Sequence, residues 1–127
     1  MECRALDSAE LDALEEALTE RARAAASTFG LAVDVHRVGR WEPVSTDPGV
    51  RDAVARAAAA LGLSVTELPS GAGHDAQALA RVTPSGMVFV PSVGGISHDP
   101  AEHTRWQDCV NGADVLLGAT IALASEL

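Results

Sequence analysis

From Ala9 to about Ser27, Leu11, Leu14, Leu18, Ala22, Ala25 and Ala26 recur at three- and four-residue steps, while Glu15, Glu16, Glu20, Arg21 and Arg23 fill the opposite side. This periodicity predicts an amphipathic helix, with Asp7 or Ser8 placed to cap its start. After Gly30, a stop signal, the pattern changes to alternation: Leu31, Val33 and Val35 are apolar and Asp34 and His36 polar, the period of a half-buried strand. Residues 2–6 form a short extended run before the helix, so the first forty residues read strand, helix, strand.

Two prolines and Asp47 break the chain between Trp41 and Pro48, which sets a boundary between a first part, residues 1–44, and a second, residues 45–127. The second part alternates again. A helix from Pro48 to Leu61 stops at Gly62, and the β-branched run Leu63 to Leu68 reads as a strand. A small-residue loop, Pro69 to Asp75, enters a helix over Ala76 to Arg81, and Met87 to Val90 is a short buried strand. A second glycine-rich loop, Pro91 to Pro100, leads to a last helix from Glu102 to Leu127. The expected class is α/β.

Charge and composition narrow the partners. Nine Lys+Arg, all of them arginine, stand against 18 Asp+Glu for a net charge of -9, so a nucleic-acid or anionic-membrane surface is not expected. Aromatic residues make up only 3% and alanine abounds, so the core is expected to pack helices closely through small side chains. No apolar run reaches the length of a membrane span, and the first residues lack a secretory pattern, which makes the cytoplasm the expected location. Cys3 and Cys109 lack a CxxC spacing and read as two reduced thiols.

Both glycine-rich loops follow an apolar strand and enter a helix, the position at which open α/β sheets bind ligands. Each carries a His–Asp pair: His74 with Asp75, and His98 with Asp99. Imidazole in such a loop binds metal or moves protons, and it also serves simply to bond the backbone. If both loops leave one end of neighbouring strands, His74 and His98 converge on one cleft. The loops lack the spacing of a dinucleotide or P-loop motif, and neither HExxH nor GxSxG occurs. His36 reads as solvent-facing, His103 does not pair with His98 on one helix face, and Asp108, Cys109 and Asp114 read as cap and surface residues of the last helix.

Three motifs in register go further: Ser70-Gly71-Ala72-Gly73-His74-Asp75-Ala76, then Met87-Val88-Phe89-Val90-Pro91-Ser92, then Gly94-Gly95-Ile96-Ser97-His98-Asp99-Pro100-Ala101-Glu102. This series resembles the hydantoinase/carbamoylase-type zinc amidohydrolases of the aminoacylase-like group, which includes N-carbamoyl-L-amino-acid hydrolases and allantoate amidohydrolases. The likeness runs on through Asp108, Gly112 and Ala113 and back to the strand of Arg4.

The resemblance implies a zinc-exopeptidase-like catalytic domain holding two metal ions, with an inserted ferredoxin-like lid that also dimerises. In that layout residues 1–44 are half of the lid and residues 45–127 the C-terminal part of the catalytic domain. Family members are much longer chains, and the HxD motif, the bridging aspartate and the Glu-Glu pair with the general base lie upstream of the matching section. The resemblance assigns His98 as a metal ligand, for Zn2+ or Mn2+, and Arg4 as the group that binds the substrate carboxylate, with Glu2 standing where aspartate is usual. His74 and Asp75 line the substrate pocket by the same likeness, and Gly94 and Gly95 belong to the substrate-binding set. The implied activity is metal-dependent cleavage of linear C–N bonds in N-carbamoyl amino acids or allantoate-like compounds, with this section inactive alone. The implied partners are a second copy or a complementing N-terminal half. A noncatalytic α/β binding or dimerisation module, or a gene fragment without activity, are the alternatives.

Overall fold

The computed structural model describes residues 1–125. Its regular elements are helices α1 (Ser8–Thr28), α2 (Pro48–Ala60), α3 (Ala76–Leu79) and α4 (Trp106–Ser125), with one 3-10 turn at Val93–Gly95. They fall into two compact units: Met1–Ser45 with Leu68–Arg81, and Thr46–Glu67 with the chain from Val82 onward. The break near Ser45 lies at the proline-rich turn, and the first glycine-rich loop belongs to the first unit.

In the first unit, the Asp7 side chain accepts the Glu10 N–H at 2.8 Å and so caps α1, one of the two caps that the sequence offered. The helix ends in a Schellman arrangement. Leu31 N–H bonds back to the Ala26 carbonyl and Gly30 N–H to that of Ser27, with Gly30 at φ 64°, where a side chain would be strained. Leu11 is buried, and Leu14 and Leu18 are half-buried on the same face.

The stretch after Gly30 is held by charges. Arg37 forks onto Glu15 through bonds of 2.8 and 2.7 Å. Arg40 reaches Asp12 at 2.5 Å and Glu42 at 2.5 and 3.1 Å. Among the described residues there is no strand, which corrects the strands expected at residues 2–6, 31–38, 63–68 and 87–90. Strand-like alternation records which side chains want cover, whereas a strand exists only where a second backbone offers ladder partners. Leu31, Val33, Val35 and Val38 are all exposed.

In the second unit α2 is capped by Asp47, which accepts the Val50 N–H at 3.0 Å, and has Pro48 in its first turn. Leu63 N–H returns to the Ala58 carbonyl past Gly62, repeating the end of α1. α2 packs on α4 through small residues, as the composition led us to expect: Ala53, Ala58, Val115 and Ala119 are buried, and a Cβ on Gly118 would lie 3.2 Å from that of Ala57. Val90 presses on Gly112 and Val50 on Gly86 in the same way, leaving no room for a methyl at either glycine without a shift.

Two helix bounds differ from expectation by more than one residue. α3 stops at Leu79 rather than Arg81, and α4 starts at Trp106 rather than Glu102. Pro100 and the turn at Asp99, whose carboxylate accepts the Ala101 N–H at 2.9 Å, commit residues 98–102 to a closed loop instead of a first helical turn. The expected end of the last helix, Leu127, lies outside the described residues.

Candidate functional site

The first unit brings Arg4 to the first glycine-rich loop. Its Nη1 donates to the carbonyl of Gly71 at 2.6 Å, and its Nε pairs with Glu2 at 2.8 Å, so Nη2 makes no hydrogen bond among the described residues. Both side chains of the Arg4–Glu2 pair are exposed.

Beyond Gly71 the loop is pinned by its own histidine. Ala76 N–H donates to His74 Nδ1 at 3.1 Å, which leaves Nε2 to carry the proton of the neutral ring. Gln77 follows the loop into α3, accepting from His74 N–H at 3.4 Å and donating to the Glu42 carbonyl at 3.4 Å. Asp75 sits at the head of α3 without a side-chain cap bond, its carboxylate exposed. An exposed guanidinium and an imidazole N–H thus share one loop region with the Asp75 carboxylate: the two donors suit an anionic group, and the carboxylate suits an N–H donor.

Glu42, which sequence reasoning passed over, ties this region to α1. Its carboxylate accepts from Arg40 and, at 2.9 Å, from Ser8 Oγ; the Arg40 bond first and the Ser8 bond second hold its carboxyl below the usual glutamate range. The same contacts, Glu42 ahead of Asp12, hold the Arg40 guanidinium firmly charged. Glu15, expected on a solvated face beside Glu16, is instead the partner of Arg37. For the Glu15 contact the sequence signal was Arg37, in an alternating run that follows an acidic helix face.

His98 lies in the second unit, in the other glycine-rich loop. Gly94 and Gly95 take φ 70° and 69°, the left-handed conformation that explains glycine at both positions. His98 also has a positive φ, 57°, uncommon for a residue with a side chain. Glu102 sustains it: its carboxylate accepts the His98 N–H at 2.7 Å, while Glu102 N–H bonds to the Asp99 carbonyl at 2.9 Å. His98 Nδ1 lies 2.9 Å from Ser97 Oγ, so Nε2 is the nitrogen left for a ligand.

A catalytic zinc needs about three protein ligands. Among the described residues no three His, Cys, Asp or Glu side chains gather in a group able to hold a metal ion, so these residues do not by themselves fit a metal centre. His36 pairs only loosely with Asp34 at 3.9 Å, and both are exposed. Cys3 and Cys109 are free. No helix among the described residues is long and apolar enough to cross a membrane.

Residues 4–121 match the model of peptidase family M20/M25/M40, and the chain belongs to that family. It is similar to the N-carbamoyl-L-amino-acid amidohydrolase of Rhizobium meliloti, 37% identical over 124 residues that are 98% of this chain and 30% of that protein. It is similar also to the allantoate amidohydrolase of Bacillus subtilis (strain 168), 39% identical over 95 residues, 75% of this chain and 23% of the relative. Among solved structures, a hydantoinase/carbamoylase family amidase from Burkholderia vietnamiensis superposes with a TM-score of 0.85 at 37% identity, over 92% of this chain and 28% of that one. The α/β class therefore stands at the level of the family fold, and the chain spans less than a third of the length of each of these proteins.

Proposed function

We propose that this chain furnishes the substrate-recognition section of a cytoplasmic, metal-dependent amidohydrolase that cleaves linear C–N bonds of N-carbamoyl amino acids or allantoate-like ureido compounds. The observation that carries the reading is the bond from Arg4 to Gly71, which sets a guanidinium on the Ser70 to Asp75 loop. Both substrate classes bear a carboxylate, and a guanidinium binds one with two parallel N–H bonds once Glu2 gives way. His74, Asp75, Gly94 and Gly95 belong to the substrate-binding set in this reading.

His98 contributes one ligand to a Zn2+ or Mn2+ centre whose other ligands lie outside this chain, and the chain alone is inactive. Neither nucleic acid nor membrane is a partner, given the charge of -9. Pairing of the Leu31 to Val38 stretch with a second copy would supply the missing ladder.

The test places the full chain in the Rhizobium meliloti relative in place of the matched section, and assays hydrolysis of N-carbamoyl amino acids. Turnover is expected, with Arg4→Ala raising KM about tenfold or more and changing kcat less. A folded, metal-loaded chimera without turnover, or an unaltered KM in Arg4→Ala, contradicts the proposal. The noncatalytic-module reading draws on the many exposed large apolar side chains, and turnover by the chimera would end it.

A further inference from the structure

Arg4, Arg37 and Arg40, all in the first unit, each bind a carboxylate of their own chain. In a guanidinium the Nε–H and one Nη2–H lie on the same edge and point the same way, a fork that fits both oxygens of one carboxylate. Arg37 uses that edge in full, with Nε 2.8 Å from one Glu15 oxygen and Nη2 2.7 Å from the other. Arg40 does the same on Glu42, at 2.5 and 3.1 Å. Arg4 uses only half of it. Its Nε bonds a single oxygen of Glu2 at 2.8 Å, its Nη1 bonds the Gly71 carbonyl, and Nη2 has no partner among the described residues.

Of the two partners of Arg4, Glu2 is the one that yields. Its side chain is 71% exposed and that of Arg4 58%, so water screens the pair and the bond holds weakly. The other partner, Gly71, is backbone, and no side-chain rotation can withdraw it. A carboxylate from solution that presents both oxygens to Nε and Nη2 makes two charge-assisted bonds where Glu2 makes one.

We propose that Glu2 is a specificity-determining residue: a resident counter-ion that the substrate carboxylate displaces from the Nε–Nη2 edge of Arg4, while Nη1 keeps its bond to Gly71. The proposal rests on the reading of Arg4 as the group that binds the substrate carboxylate, and adds the edge that is used and the competitor that must leave it. Displacing an exposed ion pair weakens binding of a carboxylate about two- to fivefold. A carboxamide offers a single acceptor oxygen, which Nη2 can serve with Glu2 in place, so it is not subject to that competition.

The experiment measures KM and kcat of the Rhizobium meliloti chimera for N-carbamoyl-L-alanine and for its carboxamide, with Glu2, Glu2→Gln and Glu2→Ala. Both variants should lower KM for the carboxylate about two- to fivefold, with kcat changed less and the KM of the carboxamide unmoved. A carboxylate KM that stays or rises in either variant, or a carboxamide KM that falls as far, overturns the proposal. If Arg4→Ala still raises KM in that case, the reading of Arg4 stands without it. A chimera without turnover refutes the proposed activity, and the isolated full chain then decides the role of Glu2. The NMR signal of the Arg4 Nε–H, identified by its loss in Arg4→Ala, is followed as N-carbamoyl-L-alanine is added to wild type and to Glu2→Gln. A half-point at lower concentration in Glu2→Gln sustains the proposal; equal half-points, or a signal that moves in neither protein, overturn it.

Discussion

Arg4 and Gly71, 67 positions apart, are joined by a 2.6 Å hydrogen bond from a guanidinium to a backbone carbonyl. A loop of small residues has few side chains with which to fix itself, so an external donor on its carbonyl restricts it more than it would a packed segment. Arg4→Ala should therefore speed amide exchange at Ala72 and His74 several-fold, while costing less than about 1 kcal/mol of overall stability because the arginine is exposed. Unchanged exchange at both amides would mean that the bond does not restrain the loop.

The Glu42 carboxylate gives the first unit an acid sensitivity. Its folded-state value is depressed, by Arg40 first and Ser8 second, so its stabilising effect is present above the ordinary glutamate range and is lost as pH falls through the depressed value. Arg40 stays charged throughout and adds no pH dependence of its own. Between neutral pH and about pH 4.3 the stretch from Arg37 to Glu42 should hold, and below that it should loosen. Amide exchange across this stretch at pH 6 and pH 3 measures the effect, and Glu42→Gln should remove most of the difference.

Gly118 decides whether α2 and α4 fit. A valine there brings a branched side chain into a space where even a Cβ would stand 3.2 Å from Ala57. Overpacking of this kind costs about 1–3 kcal/mol, against at most about 1 kcal/mol gained from a helix former replacing glycine. Gly118→Val should lower the urea midpoint and Gly118→Ser should lower it less. Equal midpoints would show that the helices can separate freely.

At His98 the backbone conformation gives an ordering. The positive φ costs a residue with a side chain roughly 1–2 kcal/mol, and most for a β-branched one. His98→Val should therefore be less stable than the wild type, and His98→Gly should lie within about 1 kcal/mol of it, since strain relief is offset by unfolded-state entropy. Thermal unfolding of the three proteins gives the order, and a valine variant as stable as the histidine would contradict the conformation.

The helices were legible in the sequence because each carries its own evidence: three- and four-residue periodicity over Leu11 to Ala26, caps at Asp7 and Asp47, and glycines at positions 30 and 62. The expected strands were not found because Leu31 to Val38 and Met87 to Val90 show only a preference for cover, and pairing needs a second backbone. His98 stood out through its motif, but Glu102, which bonds its N–H, is visible only once the turn at Asp99 and Pro100 folds the loop back. Glu42 gave no signal at all. It matters through Arg40 and Ser8, one of them 34 positions away, and no local pattern records such a meeting.

The proposed function makes His98 a single metal ligand beside a substrate-recognition loop, and among the described residues no group of three His, Cys, Asp or Glu gathers to hold a metal ion. The most direct measurement is hydrolysis of N-carbamoyl amino acids and allantoate by the isolated chain in excess Zn2+ or Mn2+. No turnover above the metal-only control is expected, with wild type and His98→Ala alike. Turnover by the wild type that His98→Ala abolishes would contradict it.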